Sequence, residues 1–565
     1  MSLAYHSRER EKGEQSPFPR RFRFVPHRGL TSVLLATLLA YGSLIAGAKL
    51  QNVVVAQERG ESQPRYGGVY HRPLGNSPST FDPAKIRDIY ALSVTQQIYD
   101  GLVDFDPTLT IRPALAQSWR ASRDWREWIF TLRRGVKFHH GREVTSDDVV
   151  FTLTRILDPR TKSGAADLFE VIAGARAFRE GRAKTVGGLE ATDRYTVRIR
   201  LEASIPLVSI LAIGHAKIIP REAVERDGDK FGTHPIGTGP FKFLSWEGQE
   251  IVLEANHDYS QGRPYLDRVV YRIFQGEQFD LMLKEFETGR LEDSPIPTSE
   301  RRRVMGRKEY QFLQRPMFGL RFIGFNVRQK PLDNRLVRQA ISYAINKDAI
   351  IEGIYQNRFV VAHGVLPPGT PGYNPNLNTY RYDPQRARTL LAQAGYPEGR
   401  GLPVFHFWSS VRPDEAVLEH EAIRRDLAAV GISFEVNYNT DWPSFVRMLT
   451  EGKTPLFRYS WYADVPDPDN FLFKLFHSQS PRNYTFYQNP ATDALLFQAK
   501  SQTELRQRVE LYRRAEQMIM EEAPIVPMIF YTYERLFQPY VRSIEVNGLG
   551  DPYIPMRKIW LDKRT

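Results

Sequence analysis

The chain has 565 residues, too many for one typical core, so two or more domains are expected. Its 42% hydrophobic and 25% charged residues are ordinary for a globular protein, and a mean hydropathy of −0.43 with a single long apolar run excludes a polytopic membrane protein. There is no cysteine, which excludes disulfides, thiolate metal sites, a cysteine nucleophile and a lipidated cysteine anchor; of the net charge of +12, residues 1–56 carry +5, and the remaining +7 is scattered in a way that marks solvated surface, not a nucleic-acid footprint.

Taken in chain order, Arg20, Arg21, Arg23 and Arg28 precede an uncharged stretch from Gly29 to Ala48. A basic segment ahead of an apolar one is the pattern of an export signal, with cleavage candidates at Ala46-Gly47-Ala48 and Val54-Val55-Ala56. Pro19 to Phe24 partly matches a twin-arginine signal. Cleavage is the favoured reading. An uncleaved stretch of this length would instead tether the protein to the membrane. Either way the body is expected in the periplasm. Residues 57–66 read as a disordered lead-in.

The body mixes strands and helices. A strand is expected from Tyr66-Gly67-Gly68-Val69-Tyr70, and a helix after Thr145, with Asp148 at capping-box spacing. Tyr195 to Leu201 alternates as a half-buried strand, and Ile251–Leu253 and Val269–Tyr271 read as further strands. Phe322 to Val327 reads as another. A helix follows with one apolar stripe (Leu336, Val337, Ala340, Ile341, Ala344 and Ile345). Pro384 opens a helix that Gly395 stops; Asp414 to Val430 forms another, ended by Gly431 ahead of a strand over Ile432–Val436. Ser501 and Glu504 are spaced as a capping box for a helix to Glu522, followed by a buried strand from Ile525 to Tyr533.

The most informative segment is Trp461-Tyr462-Ala463-Asp464-Val465-Pro466-Asp467-Pro468-Asp469-Asn470-Phe471. A buried strand over Leu456–Tyr462 breaks into three aspartates and two prolines, which ends the ladder and holds Asp464 at a strand end beside aromatic rings. Such a carboxylate suits a cationic group; a capped surface turn is the structural alternative. No H-E-x-x-H, G-x-S-x-G or Walker lysine is present. Gly237-Thr238-Gly239-Pro240-Phe241 reads as a tight turn. His139 and His140 would point to opposite faces of a strand and not chelate one metal. The spacing of Asp464, Asp467 and Asp469 lacks the EF-hand glycine and distal glutamate. No metal and no cofactor is expected.

Seven short motifs in order carry a resemblance: Thr80-Phe81-Asp82-Pro83, Tyr99-Asp100-Gly101-Leu102-Val103, Lys137-Phe138-His139-His140-Gly141, Val144 to Val149, Gly237 to Phe241, Arg338 to Ile345, and Asp464 to Phe471. Together, over about residues 66–560, the chain resembles the family 5 extracytoplasmic solute-binding proteins, the peptide and nickel receptors of ABC importers. The resemblance implies an α/β, two-lobed periplasmic-binding-protein-like fold (type II, cluster C), with an extra subdomain in lobe I and a hinge of two crossing strands. The boundaries it suggests are lobe I over 67–320, with the subdomain at about 92–235, lobe II over 321–527, and a return to lobe I over 528–565.

By the same resemblance, the protein binds short peptides, hands them to ABC permease subunits, acts as a monomer and is not an enzyme. Asp464 would hold a peptide's α-ammonium. Arg412, shortly after Trp408, would take its α-carboxylate, and Trp461, Tyr462, Trp442, Tyr487 and Trp408 would wall the site. His139-His140, commonly His-Asp in the family, would be scaffold. A sugar, nickel chelate or opine on the same scaffold, or an exported hydrolase, are the alternatives.

Overall fold

The computed structural model describes residues 63–377 and 379–563. The expected export signal and most of the lead-in lie outside the described residues. Among the described residues no helix is long and apolar enough to cross a membrane.

The chain starts with β1 (Val69–Leu74) and then α1 (Ile89–Ile98), whose first turn is capped by the Asp88 carboxylate accepting from Ala91 N at 2.7 Å. A hairpin of β2 (Val103–Phe105) and β3 (Ile111–Pro113) leads into a four-stranded antiparallel sheet. That sheet contains β4 (Ala116–Ala121), β5 (Glu127–Leu132), β6 (Leu189–Asp193) and β7 (Thr196–Arg200), ordered β4-β5-β7-β6. Helix α2 (Ser146–Leu157) covers it, burying Val149, Leu153, Ile156 and Leu157; the Asp148 carboxylate accepts from Thr145 N at 2.9 Å at the capping-box spacing.

The chain then returns to β1. Strands β8 (Phe241–Glu247), β9 (Glu250–Ala255) and β10 (Arg268–Ile273) form a second sheet, with β10 parallel to β1. The turn ahead of β8 lies against the end of α1. A Cβ on Gly237 would come within 2.0 Å of the Ile98 carbonyl oxygen, so only glycine permits this approach. His139 brackets the same turn: Gly237 N donates to its Nδ1 at 3.3 Å, and its Nε2 lies 3.0 Å from Gly239 O. Burial pushes its pKa down to about 4, so it is a neutral scaffold residue, while the neighbouring His140 turns to Glu222 at 2.7 Å.

The third sheet joins the halves of the molecule. It contains β11 (Asp293–Pro295), β12 (Gln311–Phe325), β13 (Val360–Val361), β14 (Phe405–Ser409), β15 (Phe434–Tyr438), β16 (Leu456–Tyr462) and β17 (Ile525–Phe537). The order is β11-β17-β12-β16-β14-β15, with β13 also on β17. Strands β12 and β17 pair antiparallel from Gln311↔Phe537 to Gly324↔Ile525, with register breaks between Pro316 and Leu320 and between Arg321 and Phe322. At one end, Leu313, Met317, Tyr533 and Phe537 pack with β1, β9 and β10; at the other, Phe322 and Phe530 lie in one core and Ile323 and Ile529 in the core on the opposite face. Both strands are much longer than the patterns over Phe322–Val327 and Ile525–Tyr533 suggest. A strand that leaves one core for another does not keep one alternating face, and Pro316 interrupts the ladder.

Arg72 on β1, Asp293 on β11, Arg535 on β17 and Asp551 form a buried charge network beside this ribbon, with Arg72–Asp551 at 2.5 Å, Arg535–Asp551 at 3.0 Å and Arg535 also on Asp293. The two guanidinium groups hold the Asp551 carboxyl below its usual range, against the opposing push of burial.

Helices α3 (Arg335–Ala344), α4 (Pro384–Gln393) and α5 (Asp414–Ala428) contribute to the core that holds Ile323. Ahead of the helix Leu505–Glu522, Ser501 is not the cap that its spacing suggests. Its Oγ folds back onto the carbonyls of Phe497 and Gln498, and Glu504 alone caps the helix, accepting from Arg506 N and Gln507 N. A carboxylate at N-cap satisfies both amides and leaves no role for Ser501.

Candidate functional site

Strand β14 runs parallel to both β15 and β16, so the carboxyl ends of all three point the same way. Arg412 follows β14. Helix α6 (Trp442–Thr450) follows β15, and the Asp464 turn follows β16. Open α/β sheets present their ligand sites at such ends.

The turn after β16 gives its three aspartates different work. Asp467 is locked by a bidentate pair with Arg508 (2.8 and 2.8 Å) and accepts from Asp469 N at 2.9 Å. Asp469, which opens α7 (Asp469–Phe476), accepts from the Tyr512 hydroxyl at 3.1 Å, and burial raises its pKa. Both Arg508 and Tyr512 come from α9 (Leu505–Glu522), which packs on α8 (Pro490–Ser501). Asp464 is different. It is exposed, makes no ion pair among the described residues, and its carboxylate meets only the Nδ2 of Asn470 at 3.4 Å. The buried Asn470 side chain fixes the approach to it: its Oδ1 accepts from Asp464 N and from Trp461 Nε1, both at 3.2 Å. The turn is therefore both a capped structural element and the carrier of one unpaired carboxylate.

Asp464 lies at the seam between the halves of the molecule. The next residue, Val465, is buried in the core of the β4–β7 sheet, and Leu109, at the tip of the β2–β3 hairpin, packs in return on the core around β16. Two groups distant in sequence feel the Asp464 charge, His215 and Tyr553. Burial lowers the His215 pKa and the Asp464 carboxylate opposes that shift; its Nε2 lies 3.2 Å from Ile86 O.

The other expected site residues divide. Trp461 and Tyr459 share the face of β16 that packs on the Phe322 core, while Tyr462 points to the opposite face and stacks on Tyr531 with centroids 4.7 Å apart. Trp442 is 50% exposed and stacks on Tyr459 at 6.1 Å, an open aromatic surface beside the turn. Trp408 is half-buried against the same core. Arg412 is exposed, with its guanidinium over the Tyr438 ring at 5.2 Å. Tyr487 is not a surface: it is 3% exposed, and its hydroxyl is 3.0 Å from Thr492 Oγ1, so it is a packed core residue. Its place in an apolar loop sequence does not separate these two situations.

Three residues that sequence reasoning did not assign lie around Asp464. Asn470 was legible only as a turn former. His215 lies about 250 positions from Asp464 and comes close only through the fold. Arg482 sits in an unremarkable loop after α7 and is exposed, with its guanidinium donating to the Tyr484 hydroxyl; the Asp464 charge adds slightly to the upward shift of its pKa. A cavity of about 380 Å³ is bordered by Gln96, Asp100, Asp104 and Tyr259 together with Tyr553 from the C-terminal segment; Asp464 does not line it. Among the described residues no three His, Asp or Glu side chains are placed to hold a metal ion.

The comparisons agree with this architecture. The chain is 32% identical over 531 residues to a protein named heme-binding protein A from Haemophilus influenzae, covering 88% of this chain and 93% of that one. It is 29% identical over 502 residues to the dipeptide-binding protein of Escherichia coli, covering 85% and 91%. Among solved structures, the ABC transporter-associated periplasmic binding protein DppA from Helicobacter pylori, in complex with peptide STSA, superposes with a TM-score of 0.71 at 29% identity, over 88% of this chain and 99% of that one. The fold is thus the two-lobed α/β fold of the periplasmic binding proteins. Residues 110–483 match the family described as bacterial extracellular solute-binding proteins, family 5, and the chain belongs to that family.

Proposed function

We propose that this protein captures short peptides in the periplasm, between its two lobes, and delivers them to the permease of an ABC importer. The observation that carries the reading is Asp464, a carboxylate at a parallel strand end, on the seam between lobes, with no ion pair among the described residues. It would receive the peptide's α-ammonium. Arg412 is a candidate for the α-carboxylate, and Trp461, Trp442, Tyr462 and Trp408 for the aromatic surroundings. The names of the Escherichia coli and Helicobacter relatives support a peptide, and that of the Helicobacter protein supports an ABC transporter as partner. The protein would act as a monomer after export, without chemistry on its ligand.

Hydrogen bonds to charged groups contribute about 1.5–3 kcal/mol each. One such bond is about a 10- to 150-fold change in affinity. Calorimetry with Ala-Ala is the test: wild type should bind in the micromolar range or tighter, and Asp464→Asn should weaken binding at least tenfold with an unchanged melting temperature, because the side chain is exposed. N-acetyl-Ala-Ala should bind wild type as poorly as Ala-Ala binds the variant. Equal affinities across these pairs would remove the ammonium role. Recovering the peptides intact after prolonged incubation would separate a receptor from a hydrolase. The Haemophilus relative's name makes hemin the comparison solute; tight hemin binding without peptide binding would replace the peptide reading.

A further inference from the structure

The β2–β3 hairpin bridges two cores. Its base belongs to the core of the β4–β7 sheet: Leu102 and Val103 are buried there, and Phe105 and Ile111 pack against it. Its tip does not. Leu109 packs instead on the core that contains Phe322 and Phe471, and among the described residues no other member of that core precedes Phe318. Val465, in the turn after β16, returns the exchange. It is 8% exposed in the core of the β4–β7 sheet, and among the described residues no other member of that core follows Ile236.

The backbone at the hairpin tip is built to hold Leu109 out. Leu109 has a φ of +62°, in the left-handed region, where a leucine side chain crowds its own backbone. Asp106 imposes that turn. Its Oδ1 accepts from Thr108 N at 2.8 Å, Thr108 Oγ1 at 2.6 Å and Thr110 N at 2.9 Å, and its Oδ2 accepts from Arg112 Nε at 2.8 Å. Leu109 N donates to Asp106 O at 2.8 Å. Pro107, Thr108 and Thr110 are exposed, and Leu109 between them is half-buried. A strained residue persists only where its surroundings over-determine it, and such positions cluster at clamps and switches.

We infer that Leu109 is a closure latch: an apolar contact, made when the lobes close, that stabilises the closed form without touching the ligand. Its effect on affinity rests on the peptide reading above; the latch itself does not. A peptide enclosed between the lobes is bound by the closed form, so its apparent affinity falls with the population of that form. The contact forms after encounter, so its loss appears in the off-rate. Partial burial of one leucine corresponds to about fivefold in an equilibrium constant.

Stopped-flow fluorescence with Ala-Ala on wild type, Leu109→Ala, Leu109→Gly and Leu109→Met tests the assignment. Leu109→Ala should raise koff about fivefold, with kon changed less than about twofold. Leu109→Met should release like wild type. Glycine adopts the left-handed backbone freely, so Leu109→Gly relieves the turn but still lacks the side chain and should release as fast as Leu109→Ala. X-ray scattering of the unliganded proteins should give Leu109→Ala a larger radius of gyration than wild type, and its melting temperature should stay within about 2 °C. A wild-type koff in Leu109→Ala, or in Leu109→Gly alone, would overturn the latch. So would a lower melting temperature with unchanged scattering, which would make Leu109 a residue of fold stability. If wild type does not bind Ala-Ala, the peptide reading fails and scattering decides: a more expanded Leu109→Ala keeps the latch, and superimposable profiles remove it.

Discussion

Glu516 offers a quantitative test of how the lobe behind the site is held together. It sits on α9, is 1% exposed, and its Oε1 accepts from Val365 N at 2.7 Å and Leu366 N at 2.9 Å, tying the loop after β13 to the helix. Its Oε2 has no hydrogen-bond partner among the described residues. Burial pushes its pKa up from 4.5 to about 7, against the two amides, which pull it down. The folded state therefore holds a proton that the unfolded state releases at lower pH. The resulting stability is complete below about pH 4.5 and is lost as pH rises through about 7. A shift of about 2.5 units corresponds to about 3.4 kcal/mol, of which about 2.5 kcal/mol falls between pH 5 and pH 8.5. Gln keeps the carbonyl acceptor and has no charge to desolvate. Urea unfolding of wild type and Glu516→Gln at these two pH values should show the wild type losing about 2.5 kcal/mol relative to the variant as pH rises. Parallel pH profiles, or a variant that loses ground at high pH, would refute the argument that the carboxylate is desolvated.

Two further outcomes follow from the geometry. Asn470→Ala removes two hydrogen bonds of 3.2 Å and leaves Trp461 Nε1 without its acceptor, so it should cost about 1–3 kcal/mol in urea unfolding and also weaken Ala-Ala binding, unlike Asp464→Asn, which should affect binding alone. Asp551→Ala strips the buried Arg72 and Arg535 of a shared carboxylate and should destabilise by about 3–5 kcal/mol. Since the folded pKa of Asp551 is depressed, its contribution is present at neutral pH and disappears on acidification below about pH 4, where wild type and variant should converge.

Strand β16 and the break that follows it are legible in the chain because an aromatic run and two prolines are local signals. The stops at Gly395 and Gly431 are legible for the same reason: each has a positive φ that a glycine adopts freely. What the linear pattern does not carry is which loop faces which. Tyr487 and Trp442 look equally suited to a site wall, yet one is sealed in a core and the other is half open to solvent. Trp461 and Tyr462 are adjacent in the chain and therefore fall on opposite faces of a strand, a consequence of the two-residue period once the strand is known. His215 is brought towards Asp464 by contacts distant in sequence, and no spacing rule reaches that far. The family resemblance supplied the architecture that periodicity alone could not.

The ribbon of β12 and β17 also governs the order in which the molecule can be assembled. Strand β12 occupies a central position, but its neighbour β17 is synthesised some 200 residues later. Until Ile525–Phe537 emerge, one flank of β12 is a bare row of amides and carbonyls, open to mispairing with other chains. A product truncated ahead of Ile525 would carry that flank permanently and would aggregate, and neither half could be produced alone without first supplying the missing strand.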